Sequence, residues 1–276
     1  MKLAFTTLGC PTWDIDTMIE QAVSWGYQGI DFRGYLGEMD VYRTKPFTDD
    51  IDKTKQNVAK AGLEIPCFSS SVRLYSDQQK HEAYVDELKE YIRLCQIFNT
   101  PYIRVFGGDI GGSSREEALQ MASEHAKTFA HLAETGGVTL LLETHDSWTK
   151  CQYVRDLLEK VDSNAFQVLW DVHHPYRTAD EPIQETWDTL GQSIRYTHWK
   201  DSYLKDEHPR GYQLCLMGEG DIPLEEIYQM LKAKGYDGYY TLEWEKVWCP
   251  EIEEPEIAFK QYSEYMHRIK EKHLST

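Results

Sequence analysis

The stretch 138–174, "VTLLLETHDSWTKCQYVRDLLEKVDSNAFQVLWDVHH", contains one complete strand–helix–strand unit. Two short apolar runs, 138–142 and 166–170, flank an amphipathic segment at 150–162. Continuous apolar runs of this length are typical of parallel strands that are buried on both faces. Parallel neighbours need a long crossover, which is usually a helix. Each apolar run is followed at once by ionisable residues, which are candidate functional residues.

The same unit repeats along the whole chain. Eight strand-like segments alternate with eight helix-like segments, and the helices carry apolar residues at i, i+3 and i+4, as at Tyr84, Leu88, Tyr91, Ile92 and Cys95. Several helices end at glycine. These features predict an α/β protein, a (β/α)8 TIM barrel that forms a single domain over residues 1–276. A doubly wound sheet is the rival, but "TTLGCPTW" after the first strand is no glycine-rich phosphate loop.

Composition narrows the class of partner. The chain has 276 residues, is 41% hydrophobic and carries a formal net charge of −17. Because this charge repels phosphate backbones and anionic lipid, nucleic acid and membranes are not expected as partners. A small anionic substrate in a locally basic pocket stays open. The six cysteines form no CxxC pair, which predicts reduced thiols and a cytoplasmic protein. No apolar run reaches membrane-spanning length. The sequence leaves open whether the chain forms a homo-oligomer.

Ionisable side chains gather at the carboxyl ends of the last four predicted strands, where the active sites of such barrels lie. These side chains are Glu143, His145 and Asp146 after the fifth strand, Asp171, His173 and His174 after the sixth, His198, Lys200 and Asp201 after the seventh, and Glu243 and Glu245 after the eighth. Glu143, Asp171 and His198 are separated by 28 and 27 positions, and Glu243 follows 45 positions later. We therefore expect these four at equal depth on neighbouring strands, with residues two positions further on the same face.

Three carboxylates and one imidazole in one barrel mouth would raise one another's pKa if they stayed unpaired. One divalent metal ion resolves this repulsion. The oxygen-rich set Glu143, Asp171, His198 and Glu243 favours Mn²⁺, with Mg²⁺, Co²⁺ and Zn²⁺ as alternatives.

Several further side chains near the mouth have more than one interpretation. His145 is either a catalytic base or a supporting residue, and Lys200 either neutralises carboxylates or binds substrate. Asp201 and Glu245 are expected to orient His198 or Lys200. Arg33 and Arg104 end the second and fourth strands, where they either bind phosphate or pair with acids.

One connection is unusually long. The segment 203–222, "YLKDEHPRGYQLCLMGEGDI", follows the strand that bears His198. Loops of this length in compact domains are usually functional. We expect it to act as a lid or substrate clamp, with Arg210 donating to substrate oxygens. The alternative is a solvated loop whose arginine pairs with a surface acid.

Five motifs carry a family resemblance: "LLLETHD", "WDVHHPY", "THWKDS", "GEGDIPL" and "YYTLEWE". In this order they resemble the xylose isomerase-like TIM barrels of the sugar phosphate isomerase/epimerase superfamily. The resemblance covers essentially the whole chain. It implies that Glu143, Asp171, His198 and Glu243 are metal ligands. It also implies that His174 and Arg210 contact the substrate.

The expected activity is that of a metal-dependent sugar isomerase or epimerase. Glu143 and Glu243 would move a proton next to a carbonyl through a metal-stabilised enediolate. If the substrate carries a β-leaving group, the same chemistry gives a lyase, such as a keto-inositol dehydratase or a 3-keto-glycoside-cleaving enzyme, with His145 as acid or base. An endonuclease IV-type enzyme is disfavoured, because the third and fourth strands end in "CFSSSV" and "RVFGGD" without histidine. A non-catalytic sugar-binding barrel is disfavoured by the intact ligand set.

Overall fold

The computed structural model describes residues 1–273. Its strands are β1 (Lys2–Thr6), β2 (Gly29–Asp31), β3 (Cys67–Arg73), β4 (Tyr102–Phe106), β5 (Thr139–Glu143), β6 (Phe166–Asp171), β7 (Ile194–Trp199), β8 (Asp201–Leu204), β9 (Tyr212–Cys215) and β10 (Tyr239–Leu242). Its helices are α1 (Ile15–Ser24), α2 (Ile51–Lys60), α3 (Gln78–Phe98), α4 (Arg115–Gly136), α5 (Cys151–Val161), α6 (His174–Ala179), α7 (Ile183–Leu190), α8 (Leu224–Ala233) and α9 (Pro255–Lys272).

Eight of the strands form one parallel sheet in the order β2-β1-β10-β7-β6-β5-β4-β3. The two edge strands meet through parallel bridges between Gly29 and Glu64 and between Phe32 and Phe68. The Ser69 amide donates to the Phe32 carbonyl at 3.0 Å across the same seam. Because the first and last strands also pair, the sheet closes into a barrel, and the predicted (β/α)8 fold is confirmed.

The apolar core has two parts that explain where the polar residues can lie. A small cluster fills the inside of the barrel; its members are Ala4, Cys67, Leu141, Leu169, Tyr196 and Tyr239. A much larger cluster packs the helices against the outer face of the sheet. Side chains two positions apart on a strand share a face. Glu143, Asp171 and His198 follow Leu141, Leu169 and Tyr196 by two positions, so they lie directly above the apolar plug, at the carboxyl end.

Local sequence signals set the helix ends. The Ser114 hydroxyl and the Glu117 carboxylate form a capping box at the start of α4, and Gly137 ends that helix with φ of 73°. The left-handed conformation carries no Cβ penalty for glycine, which makes it the usual residue after a helix. In α1 the Asp14 carboxylate accepts from the Thr17 amide at 2.8 Å.

Two features differ from the sequence prediction. A short helix, α6, begins at His174 directly after β6, before the predicted helix α7. The long segment 203–222 was predicted as a loop, but part of it forms an antiparallel hairpin in which β8 pairs with β9. Backbone pairing within the hairpin satisfies polar groups that an irregular loop would leave to water. Among residues 1–273, no helix combines the length and apolarity needed to cross a bilayer.

Candidate metal centre

Four of the predicted residues come together at the carboxyl end of the barrel. Glu143, Asp171, His198 and Glu243 are buried, and each offers one ligand atom within 4.8 Å of the others. Glu143 and Asp171 end β5 and β6, His198 lies in β7, and Glu243 follows β10. The register of the parallel strands places Asp171 opposite His198. The equal depth predicted from the spacing is therefore what brings them together.

His198 presents its two ring nitrogens to different neighbours. Nδ1 lies 3.3 Å from an oxygen of Glu143 and 3.3 Å from an oxygen of Glu243. Nε2 lies 3.2 Å from Oδ2 of Asp31, which ends β2 and is fully buried. A carboxylate on the far nitrogen fixes the orientation of a histidine ring and commonly accompanies metal-binding histidines. Asp31 is not among the residues predicted from the sequence, although it is an acidic residue at the end of a strand-like segment.

Lys200 brings a positive charge into the cluster. Its ammonium group lies 2.9 Å from Oδ2 of Asp171, donates to Oε1 of Glu245 at 2.9 Å, and also donates to Glu243. The Lys200 side chain is 1% exposed, so these carboxylates replace its water shell. Glu245 in turn accepts from Nη1 of Arg210 at 2.7 Å. The predicted pairs His198 with Lys200 and Glu243 with Glu245 thus lie on shared faces.

The electrostatics of the cluster favour added positive charge. The pKa of the Asp171 carboxyl is raised to about 7, chiefly by burial; Glu243 and Glu143 act in the same direction and Lys200 in the opposite one. Burial alone would lower the pKa of His198, but its attraction to Glu243 and its contacts with Asp31 and Glu143 leave that pKa well above the ordinary value. Both shifts arise because several carboxylates share a site that water does not reach.

The residues present fit a divalent cation. Oε2 of Glu143 is buried without a hydrogen-bond partner among the described residues, and its nearest charged neighbour is Nε of Arg104 at 3.4 Å. A buried carboxylate oxygen in this state lacks a compensating partner, which a metal ion provides. Three carboxylates and one imidazole form a donor set that suits Mn²⁺, Mg²⁺, Co²⁺ or Zn²⁺.

Of the three predicted histidines outside the cluster, His174 and His145 lie at the mouth of the barrel, whereas His173 does not face it. Nδ1 of His174 lies 3.2 Å from Oδ2 of Asp171, and the His145 ring packs edge-on against the His174 ring at 4.4 Å. His173 turns away, and its Nε2 lies 2.8 Å from the Ser202 hydroxyl.

Asp201 does not have the predicted role of orienting His198 or Lys200. Its carboxylate accepts from four backbone amides, those of Ser202, Gly218, Gly220 and Ile222. Three of these amides belong to the segment that follows the hairpin. A carboxylate that accepts several backbone N–H groups holds that segment in place. Asp201 therefore fixes the path of the chain from β9 towards α8.

A cavity of about 490 Å³ opens at this end of the barrel. It is lined by residues that include His145, His174, Arg210, Glu243 and Glu245. A larger cavity of about 880 Å³ lies at the opposite end, where Lys2, Tyr102 and Tyr239 begin their strands. None of the four clustered residues lines the larger cavity. The smaller one is therefore the candidate active site, because it offers room for a small molecule beside Glu243 of the cluster and beside His145 and His174.

An eight-stranded parallel barrel that gathers carboxylates and imidazoles at its carboxyl end has the architecture of TIM-barrel enzymes. The sequence model of one such family, the xylose isomerase-like TIM barrel, matches residues 19–268. The chain belongs to this family.

Relatives of known activity or structure resemble the chain over most of its length. Fructoselysine 3-epimerase of Shigella flexneri is 25% identical over 256 residues, which cover 88% of this chain and 90% of that protein. The probable 3-DHS dehydratase AsbF of Bacillus anthracis has a TM-score of 0.81 at 18% identity, covering 97% of this chain and 99% of that one. The IolI protein, solved with a zinc atom bound, has a TM-score of 0.82 at 16% identity and full coverage of both chains. The two structural likenesses show the shared fold.

Proposed function

We propose that the chain is a divalent-metal-dependent sugar isomerase or epimerase that moves a proton on a carbon next to a carbonyl group. The observation that carries this proposal is the buried cluster of Glu143, Asp171, His198 and Glu243, whose ligand atoms lie within 4.8 Å of one another beside an open cavity. Membership of the family and the similarity to fructoselysine 3-epimerase agree with it.

These four residues would hold the cation, with Mn²⁺ as the preferred ion. When bound there, it would supply Lewis-acid polarisation of a substrate carbonyl and its neighbouring hydroxyl, which makes the adjacent C–H acidic. Asp31 would keep the His198 ring in its binding orientation through Nε2. Lys200 would hold Asp171 and Glu243 in place and offset the excess negative charge.

The proton would pass through two carboxylates that reach the site from different strands. Burial raises the pKa of Glu243, but Lys200 and His198 outweigh burial and leave that pKa well below its usual range. Glu243 is therefore ionised, as a proton acceptor must be, but it is a weak base, so proton transfer to it depends on the acidity that the cation gives the C–H. Glu143, which reaches the site from β5, would return a proton that it first takes up from water. Return to the opposite face of the same carbon gives an epimer, and return to the neighbouring carbon gives an isomer.

A second candidate, a lyase or dehydratase, is favoured by the position of His145. The ring lines the cavity, and Nδ1 lies 2.7 Å from Oδ1 of Asp146. Burial lowers the pKa of His145, but the hydrogen bond to Asp146 and the negative charges of Glu143 and Asp146 together outweigh burial and raise it. A protonated imidazole in the mouth can donate to a departing hydroxyl or glycosidic oxygen. With a substrate that bears a β-leaving group, His145 would act as this acid.

Nucleic-acid cleavage is disfavoured for this chain. The net charge is −17, which repels a phosphate backbone. The residues that end β3 and β4 are Arg73 and Phe106, so these strands bring no histidine for additional metals. We expect no cleavage of abasic-site DNA at physiological salt. Efficient metal-dependent nicking would overturn the sugar proposal.

The decisive experiment is incubation of Mn²⁺-loaded protein in D₂O with keto-sugars, keto-inositols and 3-keto-glycosides. Solvent deuterium at a substrate carbon, lost in Glu243→Gln and after chelation, is the expected result for an isomerase or epimerase. Formation of a new C=C bond with loss of a substituent would identify the lyase instead. If no substrate in these classes gains deuterium or loses a substituent, the proposed function is wrong.

A further inference from the structure

The mouth of the barrel has a negatively charged side and a positively charged side. The acidic cluster comes from β5, β6, β7 and the residue after β10, whereas arginines lie on or just after β2, β3 and β4. Arg33 follows β2, Arg73 ends β3 and Arg104 lies in β4. All three line the 490 Å³ cavity together with Arg210. We call Arg33, Arg73 and Arg104 the arginine side of the cavity. In a chain of net charge −17, such a local concentration of positive charge is unexpected unless something negative binds there.

Two of these arginines are buried with unused donors. Arg104 is 0% exposed and Arg33 is 9% exposed. Among residues 1–273, Nη1 of Arg33 and both Nε and Nη1 of Arg104 have no hydrogen-bond partner. Leaving a buried guanidinium donor unpaired costs free energy. The protein carries this cost at two neighbouring residues that face one cavity, which indicates that a ligand completes the bonds.

The surroundings of Arg104 hold its donors in place. The guanidinium lies over the Phe106 ring, with Cζ 3.7 Å from the ring centroid. Nε is 3.4 Å from Oε2 of Glu143. Stacking on one side and an acid on one edge fix the plane of the guanidinium, so its free edge has a defined direction. Arg104 thus links the arginine side directly to a residue of the acidic cluster.

The two guanidinium groups also repel each other. Burial lowers the pKa of Arg33 to about 10, and the charge of Arg104 acts in the same direction. Repulsion of this kind is relieved when an anion binds between the charges. A planar carboxylate or a phosphate accepts paired hydrogen bonds from guanidinium groups, whereas a neutral hydroxyl supplies no compensating charge.

We propose that the substrate carries an anionic group, a carboxylate or a phosphate, which Arg33 and Arg104 bind while Arg73 lies at the rim. The position of the anionic group follows from the arginines alone. The placement of the substrate's carbonyl end at the acidic cluster rests on the proposed function. An anion anchored on one side of the mouth orients the substrate, so that a fixed carbon faces Glu143 and Glu243.

Binding can be measured without turnover by isothermal titration calorimetry at low salt. Inorganic phosphate and D-gluconate serve as anionic probes, and D-glucitol is the neutral match for D-gluconate. We expect at least one anion to bind well above D-glucitol, and Arg33→Gln to weaken that anion about 10- to 100-fold. Arg43→Gln is the matched control, because Arg43 is an exposed arginine away from the cavity. The preference between the two anions tells whether the site takes carboxylates or phosphates.

Arg33→Lys is a second, charge-conserving variant that keeps the test valid if Arg33→Gln does not fold. It keeps the charge but removes the planar pair of donors, so its affinity should fall between wild type and Arg33→Gln. The proposal is overturned if neither anion binds more tightly than D-glucitol. It is also overturned if folded Arg33→Gln and Arg33→Lys, checked by melting temperature, bind the anion as wild type does.

The same titrations separate this proposal from the proposed function. If the anion binds but no substrate exchanges solvent deuterium, the anion site stands and the enzyme assignment fails. If neutral keto-sugars exchange deuterium at rates that Arg33→Gln leaves unchanged, the enzyme assignment stands and the anionic substrate is wrong.

Discussion

Oδ2 of Asp31 lies 3.2 Å from Nε2 of His198, and both side chains are fully buried. The two residues are 167 positions apart in the chain. They meet because β2 pairs with β1, β1 with β10, and β10 with β7. The carboxylate leaves Nδ1 of His198 free to face Glu143 and Glu243.

Asp31→Asn should weaken metal binding about 10- to 100-fold for two reasons. The amide holds the orientation of the His198 ring less firmly, and the loss of the negative charge makes the imidazole a weaker metal ligand. Metal titration with a competing chelator measures the affinity. Asp86→Asn, at an exposed position of α3, is the control and should bind metal as wild type does. Equal affinity in Asp31→Asn and wild type would contradict the proposed orienting role.

Metal content tests the four-residue cluster directly. Purified protein should bind about one divalent cation, and both Glu143→Gln and Asp171→Asn should lose most of it, because each removes one charged ligand. Elemental analysis after exhaustive dialysis gives the content. Glu90→Gln changes an exposed carboxylate on α3 and should keep full content. Full occupancy in both cluster variants would show that the metal, if any, binds elsewhere.

Lys200→Met should destabilise the cation-free protein by about 3–5 kcal/mol, since it leaves Asp171, Glu243 and Glu245 without their buried counter-charge. A bound cation replaces part of that charge. Added Mn²⁺ should therefore raise the melting temperature of Lys200→Met by more than it raises that of wild type. Lys260→Met, an exposed change on α9, should behave as wild type. Equal shifts in Lys200→Met and wild type would mean that the ammonium and the cation do not compensate for each other.

The barrel could be predicted from the sequence because its signals are local. Apolar runs such as 138–142 mark buried strands, and the Ser114 cap and Gly137 mark the two ends of α4. The cluster was predictable for a related reason. In a parallel barrel every strand runs in the same direction, so equal spacing along the chain becomes equal depth at the mouth, as for Glu143, Asp171 and His198.

What the sequence could not supply depends on contacts between distant segments. Asp31 lies near His198 only after the barrel closes. The hairpin of β8 and β9 depends on pairing across a turn that contains no strong two-residue signal. Asp201 faces the amides of Gly218 and Gly220 rather than His198, and only the path of that segment decides this.

The hairpin carries Arg210 back to the mouth of the barrel. Its Nη1 donates to Glu245 at 2.7 Å, and Glu245 accepts from Lys200, so the arginine is tied to the acidic cluster through one carboxylate. The side chain of Arg210 is 35% exposed and lines the cavity, which leaves donors available to a substrate. It can therefore clamp a bound substrate while the cluster itself stays intact.

Arg210→Ala should lower kcat/KM about 10- to 100-fold, because a charged hydrogen bond to the substrate is lost. Metal content and melting temperature should change little, since Arg210 contacts no residue of the four-residue cluster directly and Glu245 keeps its hydrogen bond from Lys200. Lys205→Ala, at an exposed position of the same hairpin, controls for a general effect on the loop. Steady-state kinetics on the substrate found in D₂O gives both constants. If kcat/KM of Arg210→Ala equals that of wild type, Arg210 does not bind the substrate. The hairpin would then be a structural element, and its arginine would only form the ion pair with Glu245.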